Sequence, residues 1–355
     1  MTCRKNEFNP VVTAIGLDSL SRSRGALLGL ACGDAIGTTV EFMPRDSFAP
    51  VTDMVGGGPF KLFPGQWTDD TSMALCLATS LVEVGFDLHD QISLYSLWHR
   101  QGYLSSTGEC FDIGSTTLDA LEAFERTGKA RAGSHEPNSA GNGSIMRLAP
   151  IPIHYLDTPE LALALCAEQS RTTHQAPECL VACRLLGEVL IRALQGQPKH
   201  IVLAPPQQTQ HLSPAFQAIA TGQYKTKARD QIKGSGYVVE SLEAALWSFN
   251  STNNYKDCVL LAANLGDDAD TTASISGQIA GAFYGETGIP QSWLNKLALQ
   301  QEIGQLAEKL VMNKPIITDN TPGKHTSVSI GSNKTTNELR GITHLPHMFI
   351  ANKSS

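Results

Sequence analysis

The sequence predicts an all-α protein built as a single compact multi-helix domain. Three observations carry this. Apolar residues recur at helical spacing through stretches dominated by Ala, Leu, Ser and Gly. Runs of β-branched residues with the two-residue alternation of a strand are scarce. Two acidic clusters, Thr68-Asp69-Asp70-Thr71 and Asp267-Asp268-Ala269-Asp270-Thr271, each open a small-apolar run of helical length, residues 72–84 and 272–284.

Residues 1–21 precede the first strong periodicity and read as an N-terminal extension. The first helix is expected over 22–36, with Leu27, Leu30, Ala31 and Asp34 on one face. Gly25, Gly29, Gly33 and Gly37 recur every fourth residue on another face, where a second backbone can approach closely. Gly56-Gly57-Gly58-Pro59 reads as a turn. Further helices are expected over 75–84, 92–99, 116–125, 159–169, 176–195, 238–249 and 257–264. Residues 201–204 are too few to imply a sheet, and 197–210, rich in Pro and Gln, reads as a loop or linker. The domain is expected to span 22–312. From 313 to 355 periodicity disappears, and the five Lys or Arg past Asn313 outnumber the two Asp or Glu, so this polar C-terminal tail is mildly basic on an acidic protein. It closes on the apolar Leu345-Pro346-His347-Met348-Phe349-Ile350. The tail is read either as a solvated extension or as a docking segment.

Composition excludes several classes. A chain of 355 residues with 41% apolar and 17% charged residues can bury a sizeable core. A formal net charge of -7 argues against general nucleic-acid binding, which needs a basic surface. No apolar run reaches the 18 or so residues of a membrane span. Arg4 and Lys5 are followed by no apolar h-region, so no secretory signal is expected and the cytoplasm is the expected compartment. Cys32, Cys76, Cys166, Cys179, Cys183 and Cys258 sit in apolar helical contexts and read as buried small hydrophobes in a reducing compartment. Cys179 and Cys183 share a helix face with His174 nearby, but zinc would need a fourth ligand that the pattern does not supply.

The chemistry is expected at the acidic clusters. Together they place five carboxylates at the mouths of two helices, with no Lys or Arg inside either motif. Like charges beside apolar helices are costly unless a cation offsets them. Clustered Asp and Thr oxygens suit a hard divalent ion, magnesium or manganese, and two such clusters suggest a two-metal hydrolase. Glu41, on the loop leaving the first helix, is a third acidic element. Asp112-Ile113-Gly114-Ser115-Thr116 and Gly141-Asn142-Gly143-Ser144-Ile145-Met146-Arg147 are rich in glycine and hydroxyls, and their backbone N–H groups could cradle phosphate. Arg147 is open to a phosphate or a structural acid as partner, and His174 to a site role or a structural one.

In this order, these elements resemble the ADP-ribosylglycohydrolase family, typified by the dinitrogenase-reductase-activating glycohydrolase. The matching residues are Gly33-Asp34-Ala35-Ile36-Gly37 with Glu41, Gly65-Gln66-Trp67-Thr68-Asp69-Asp70-Thr71, Asp112-Ile113-Gly114 and the segment from Gly141 to Arg147. They continue through Thr173-His174, the segment from Gly236 to Trp247, and Gly266-Asp267-Asp268-Ala269-Asp270-Thr271. The match covers roughly residues 22–310. The resemblance implies an orthogonal all-α bundle with a binuclear magnesium or manganese centre on Thr68, Asp69, Asp70, Asp268, Asp270 and Thr271. Asp267 stands where many members have glycine and is read as a loop residue. Glu41, Asp69, Asp70, Asp268 and Asp270 become the catalytic candidates. Gly114, Ser115, Asn142, Gly143, Ser144, Met146 and His174 would line the ribose and diphosphate groove, and Tyr237 would contact adenine. The implied reaction is removal of ADP-ribose from a modified protein side chain, arginine above all. The alternatives are a serine or O-acetyl linkage, or a non-catalytic binding member. Some bacterial relatives act as immunity proteins against ADP-ribosyltransferase toxins, so either extension could meet a cognate toxin.

Overall fold

In the computed structural model the described residues are 13–206 and 212–313. They form fourteen α-helices and no strand, only isolated bridges such as Gly141 with Tyr237. The long helices are α1 (Thr13–Gly37), α2 (Asp69–Glu83), α3 (Leu88–Gln101), α4 (Ser115–Thr127), α6 (Pro159–Ser170), α7 (Pro177–Leu194), α10 (Val238–Ser251), α11 (Tyr255–Ala263), α12 (Ala269–Tyr284) and α14 (Gln300–Met312). Between them lie the short α5 (Pro150–His154), α8 (Lys199–Val202), α9 (Pro214–Ala220) and α13 (Gln291–Leu294). The expected all-α fold holds.

The most extensive pairing is between α1 and α12. A Cβ on Gly25 would lie 2.3 Å from the Gly281 carbonyl oxygen, on Gly29 2.5 Å from that of Gly277, on Gly33 2.3 Å from that of Ala273, and on Gly37 2.3 Å from that of Ala269. Real side chains never come this close to backbone, so the stripe that the sequence displayed is a backbone-to-backbone seam. The pairing order runs opposite in the two helices, which makes them antiparallel. Tyr255 of α11 reinforces the seam by donating its hydroxyl to the Gly29 carbonyl at 2.7 Å. Antiparallel pairing brings the start of α12 to the end of α1, so Asp268 and Asp270 arise beside the segment that carries Glu41.

Some boundaries differ from those expected. α1 begins at Thr13 and not at Arg22. The added stretch contains Gly16, Asp18, Ser19 and Ser21, poor helix formers that hide its periodicity. Part of the expected loop at 197–210 is helical as α8. α14 was not anticipated, although Ile303, Ala307 and Leu310 mark its buried face. Residues 1–12, most of the expected N-terminal extension, and the expected tail after Asn313 lie outside the described residues, as does the apolar segment at its end. No helix among the described residues is long and apolar enough to cross a membrane.

The seam is directly testable. A Cβ on Gly281 would sit 1.9 Å from the Gly25 oxygen, with backbone on both sides and no flexible side chain to yield. Gly281→Ala is expected to destabilise by about 3 kcal/mol or to prevent folding. Urea denaturation measures this, and a midpoint within error of the parent would contradict the seam.

Candidate active site

Two helices open the site, and each is capped from α1 or from the segment just after it. Thr68 occupies the N-cap of α2, but its side chain makes no cap. Instead the buried Asp34 of α1 accepts hydrogen bonds from the Thr68 N–H at 2.9 Å, the Thr68 hydroxyl at 2.8 Å, the Thr71 N–H at 3.0 Å and the Thr71 hydroxyl at 2.6 Å. A carboxylate at this point answers free amides and the positive end of the α2 dipole. Glu41 does the same for α12, one oxygen accepting from the Ala269 and Asp270 amides at 2.7 and 3.0 Å. Asp34 lies in the matching sequence motif, which does not by itself assign it a role. Its signal was a lone acid on a face shared with Leu27, Leu30 and Ala31.

These anchors force the acidic motifs together. Oxygens of Asp69, Asp70 and Asp270 lie within 4.8 Å of one another, as do those of Glu41, Asp268 and Asp270. Asp270 is common to both groups. The Thr68 hydroxyl lies 3.0 Å from Asp270 Oδ2, and the Thr271 hydroxyl lies 3.2 Å from Asp70 Oδ1. The other Asp70 oxygen is buried with no hydrogen-bond partner. Asn142 donates to Asp268 at 2.8 Å and to the Ser241 hydroxyl at 2.9 Å, fixing that carboxylate toward the cleft. Asp267 stays exposed, outside both groups, in a left-handed conformation with φ +59°.

Burial, then mutual repulsion, drives the carboxyl pKa values upward. Asp268 is pushed up to about 7 by burial and by Asp270, with hydrogen bonds from Asn142 and Thr271 opposing. Asp270 is pushed up to about 7 by burial and by Asp112. Burial raises Asp112 to about 6. Glu41, Asp69 and Asp70 are also raised, in each case by burial first and neighbouring carboxylates second. An orphaned Asp70 oxygen and crowded carboxylates with no cationic side chain among them form an all-oxygen donor set that fits hard divalent ions.

Glu41, Asp69, Asp112, Asp268 and Asp270 line a cavity of about 360 Å³, within the range of small-molecule sites, whereas Thr68 and Asp70 are not in its lining. The lining acids and Thr271 share the cavity with Gly114, Ser115, Asn142, Gly143, Met146 and His174. Ile113, next to Asp112 in the first glycine-rich segment, also lines it, as do Phe42 and Gly236, to which the sequence assigns no role. Gly114 is the N-cap of α4, so the free amides of that helix border the cavity.

Three expectations change. Ser144 does not line the cavity. It is fully buried and accepts a weak contact from the Cys183 thiol at 3.4 Å. Tyr237, expected to contact adenine, is not in the lining of this cavity: it is 37% exposed, and its hydroxyl donates to Glu178 at 2.7 Å. Arg147 takes neither phosphate nor acid. Fully buried, it donates to Gln169, Thr172 and Thr173 and lies over the Tyr95 ring, 4.6 Å from its centroid. This arrangement gives His174 a definite state. Arg147 donates to Thr173 Oγ1 at 2.8 Å, and the Thr173 hydroxyl lies 2.8 Å from His174 Nδ1. The hydroxyl satisfies its own proton by donating to Nδ1, which leaves His174 Nε2 carrying hydrogen near Gly141 and Gly143. Burial and the Arg147 charge push the imidazole pKa down to about 3, so the ring is neutral.

A family model described as ADP-ribosylglycohydrolase matches residues 16–316. A Pseudomonas putida protein named "ADP-ribosylarginine hydrolase Tri1" is 49% identical over 85% of this chain and 81% of its own length. A Serratia proteamaculans protein of the same name is 48% identical over 84% and 81%. A Rhodospirillum rubrum protein named "ADP-ribosyl-[dinitrogen reductase] glycohydrolase" is 33% identical over 79% and 92%. A solved structure titled "ADP-ribosylglycohydrolase-related protein complex" superposes with a TM-score of 0.76 and 41% identity, covering 84% of this chain and 100% of its own.

Two outcomes test the electrostatics. Asp34→Asn turns an acceptor of four hydrogen bonds toward those donors with an amide, and is expected to cost roughly 2–4 kcal/mol in urea denaturation with chelator present. A parental midpoint would contradict it. For the cluster, a carboxyl pKa raised by folding means that the native state holds protons that the unfolded state releases. Stability of chelated protein should therefore fall as pH rises from the ordinary carboxylate range, 3.8, through about 7. Millimolar Mg²⁺ or Mn²⁺ at pH 8 should restore the unfolding temperature. Equal stability at pH 5 and pH 8 under chelator would refute the repulsion.

Proposed function

The chain belongs to the ADP-ribosylglycohydrolase family, and from that premise we propose that it removes ADP-ribose from modified arginine side chains of proteins. The observation that carries the reading is the convergence of both acidic motifs on one cavity lined by no Lys or Arg. A site of this kind receives a cationic reacting centre and a hard metal rather than an anionic one.

We assign Thr68, Asp69, Asp70, Asp268, Asp270 and Thr271 to holding two Mg²⁺ or Mn²⁺ ions. Bound there, such ions would supply Lewis acidity toward the ribose hydroxyls and water. The α4 amides, the Gly141-Asn142-Gly143 turn and the His174 Nε2–H donate toward the diphosphate and ribose. Glu41 approaches the scissile ribose. Cleavage breaks the bond between C1 of ribose and the guanidino nitrogen through an oxocarbenium-like state. The bonding pair stays with the guanidino nitrogen, which regains a proton. Water forms the new C1–O bond, and its proton passes to Asp268 or Asp270. A cognate ADP-ribosyltransferase toxin as a further partner rests on the resemblance alone, through residues 1–21 and 313–355.

The experiment is release of free ADP-ribose from an arginine-ADP-ribosylated protein, with Mg²⁺ or Mn²⁺ and with excess chelator. Chelator-sensitive release is expected, and Asp270→Asn should lower kcat by roughly 100-fold or more. No release from metal-loaded protein would overturn the arginine reading and move the search to serine and ester linkages.

A further inference from the structure

One cavity residue is unexplained by hydrolysis. Phe42 follows Glu41 directly, lines the cavity, and is 65% exposed. No Tyr, Trp or other Phe stands among the described residues that line the cavity. An aromatic side chain left in water at a site built of carboxylates gains nothing from burial. Its backbone is left-handed, with φ +62°, a conformation that bulky residues avoid. Two backbone hydrogen bonds hold it there: the Phe42 N–H donates to the Asp267 carbonyl at 2.8 Å, and the Asp267 N–H donates to the Met43 carbonyl at 2.8 Å. From behind, the ring meets Phe60 edge-on, with centroids 6.3 Å apart and planes at 73°. Phe60 in turn rests on Phe111 at 5.2 Å, the residue before Asp112. The exposed ring is thus fixed in place and orientation.

We propose that Phe42 determines linkage specificity by stacking on the guanidinium of the modified arginine. The inference rests on the arginine reading above and deepens it. A cation is attracted to an aromatic face, and more strongly where water is partly excluded. Planar guanidinium suits this geometry better than ammonium does. Here Glu41 precedes the ring in sequence, and Asp268 and Asp112 share its cavity, so carboxylates favour the same cation. No cationic side chain in the lining competes for the ring. The leaving group of an arginine linkage carries its positive charge next to C1, where Glu41 is assigned. A serine or O-acetyl linkage brings no cation to that position and gains nothing from the ring.

The test uses the full chain loaded with Mg²⁺ and small substrates, so that no protein surface contributes. ADP-ribosylarginine and ADP-ribosylserine are compared for Phe42→Ala, Phe42→Leu and Phe42→Trp, with inhibition by free ADP-ribose as a second readout. Phe42→Ala and Phe42→Leu should each lower kcat/KM for ADP-ribosylarginine about tenfold. Phe42→Trp should retain it. The inhibition constant of ADP-ribose and any turnover of ADP-ribosylserine should not move. Leucine keeps the apolar bulk without the π face, so full activity in Phe42→Leu would overturn the proposal, as would equal losses on both linkages. Parent enzyme that fails to cleave ADP-ribosylarginine would instead bring down the arginine reading, and this proposal with it. That result is distinct from a parent that cleaves and variants that match it.

Discussion

The architecture depends on one contact, the seam between α1 and α12. Helices usually pack with side chains between them, at 8–10 Å between axes. Here Gly25, Gly29 and Gly33 bring α1 backbone against the Gly281, Gly277 and Ala273 carbonyls, with no space for a methyl group. Glycine in a helix interior costs about 1 kcal/mol relative to alanine, and a run of them is tolerated only if tertiary packing more than offsets it. What the seam provides is registration. Ridges of large side chains permit several crossing geometries, whereas backbone contact at successive turns fixes one. Because the helices run antiparallel, that register decides which α12 residues meet the end of α1.

Registration matters because the site is electrostatically unfavourable by itself. Asp69, Asp70, Asp268 and Asp270 would separate if their helices could slide, and Asp34 and Glu41 prevent this by direct bonds. Each acid stands in for a cap that the helix's own N-cap side chain does not supply. Thr68 shows how the two functions interlock. Its hydroxyl lies 2.8 Å from Asp34 and 3.0 Å from Asp270, so it can donate to either carboxylate and ties the α1 anchor to the cluster. Asp34 therefore does two jobs with one carboxylate. It satisfies the amides of α2 and orients an oxygen that the site presents to its occupant.

Much of this was legible in the chain because its signals are repetitive. Glycines at every fourth residue and two Asp-rich motifs before apolar runs are patterns that few other structures explain. The pairing of those motifs on one cavity was accessible because both sit at helix starts, where acids are favoured. What remained hidden depended on contacts distant in sequence. Arg147 ends a glycine-rich loop and was open to a phosphate or an acid as partner, yet its partners Gln169, Thr172 and Thr173 lie beyond α5, and the loop turns it inward. Ser144 follows the same turn into the core. Gly236 reaches the cavity, while the Tyr237 backbone pairs with Gly141. The start of α1 was missed because local propensity there is poor.

Some of the backbone strain falls where these constraints meet. Phe42 and Asp112, both left-handed, line the cavity, and Asp267, also left-handed, adjoins Asp268 of its lining; each residue carries a side chain where glycine would be relaxed. At Asp267 the left-handed conformation is compatible with aspartate, which accepts αL better than most residues, and the residue is exposed outside the cluster. Phe42 and Asp267 are bonded to one another through their backbones, so each strained residue supports the other. The Phe42 and Asp112 side chains are the ones that a glycine at those positions would forfeit. Strain at a position that glycine would relieve points to the side chain itself as what is retained. At Asp112 that side chain is a carboxylate facing the metal-type cluster, and at Phe42 it is a bare aromatic face at the cavity mouth.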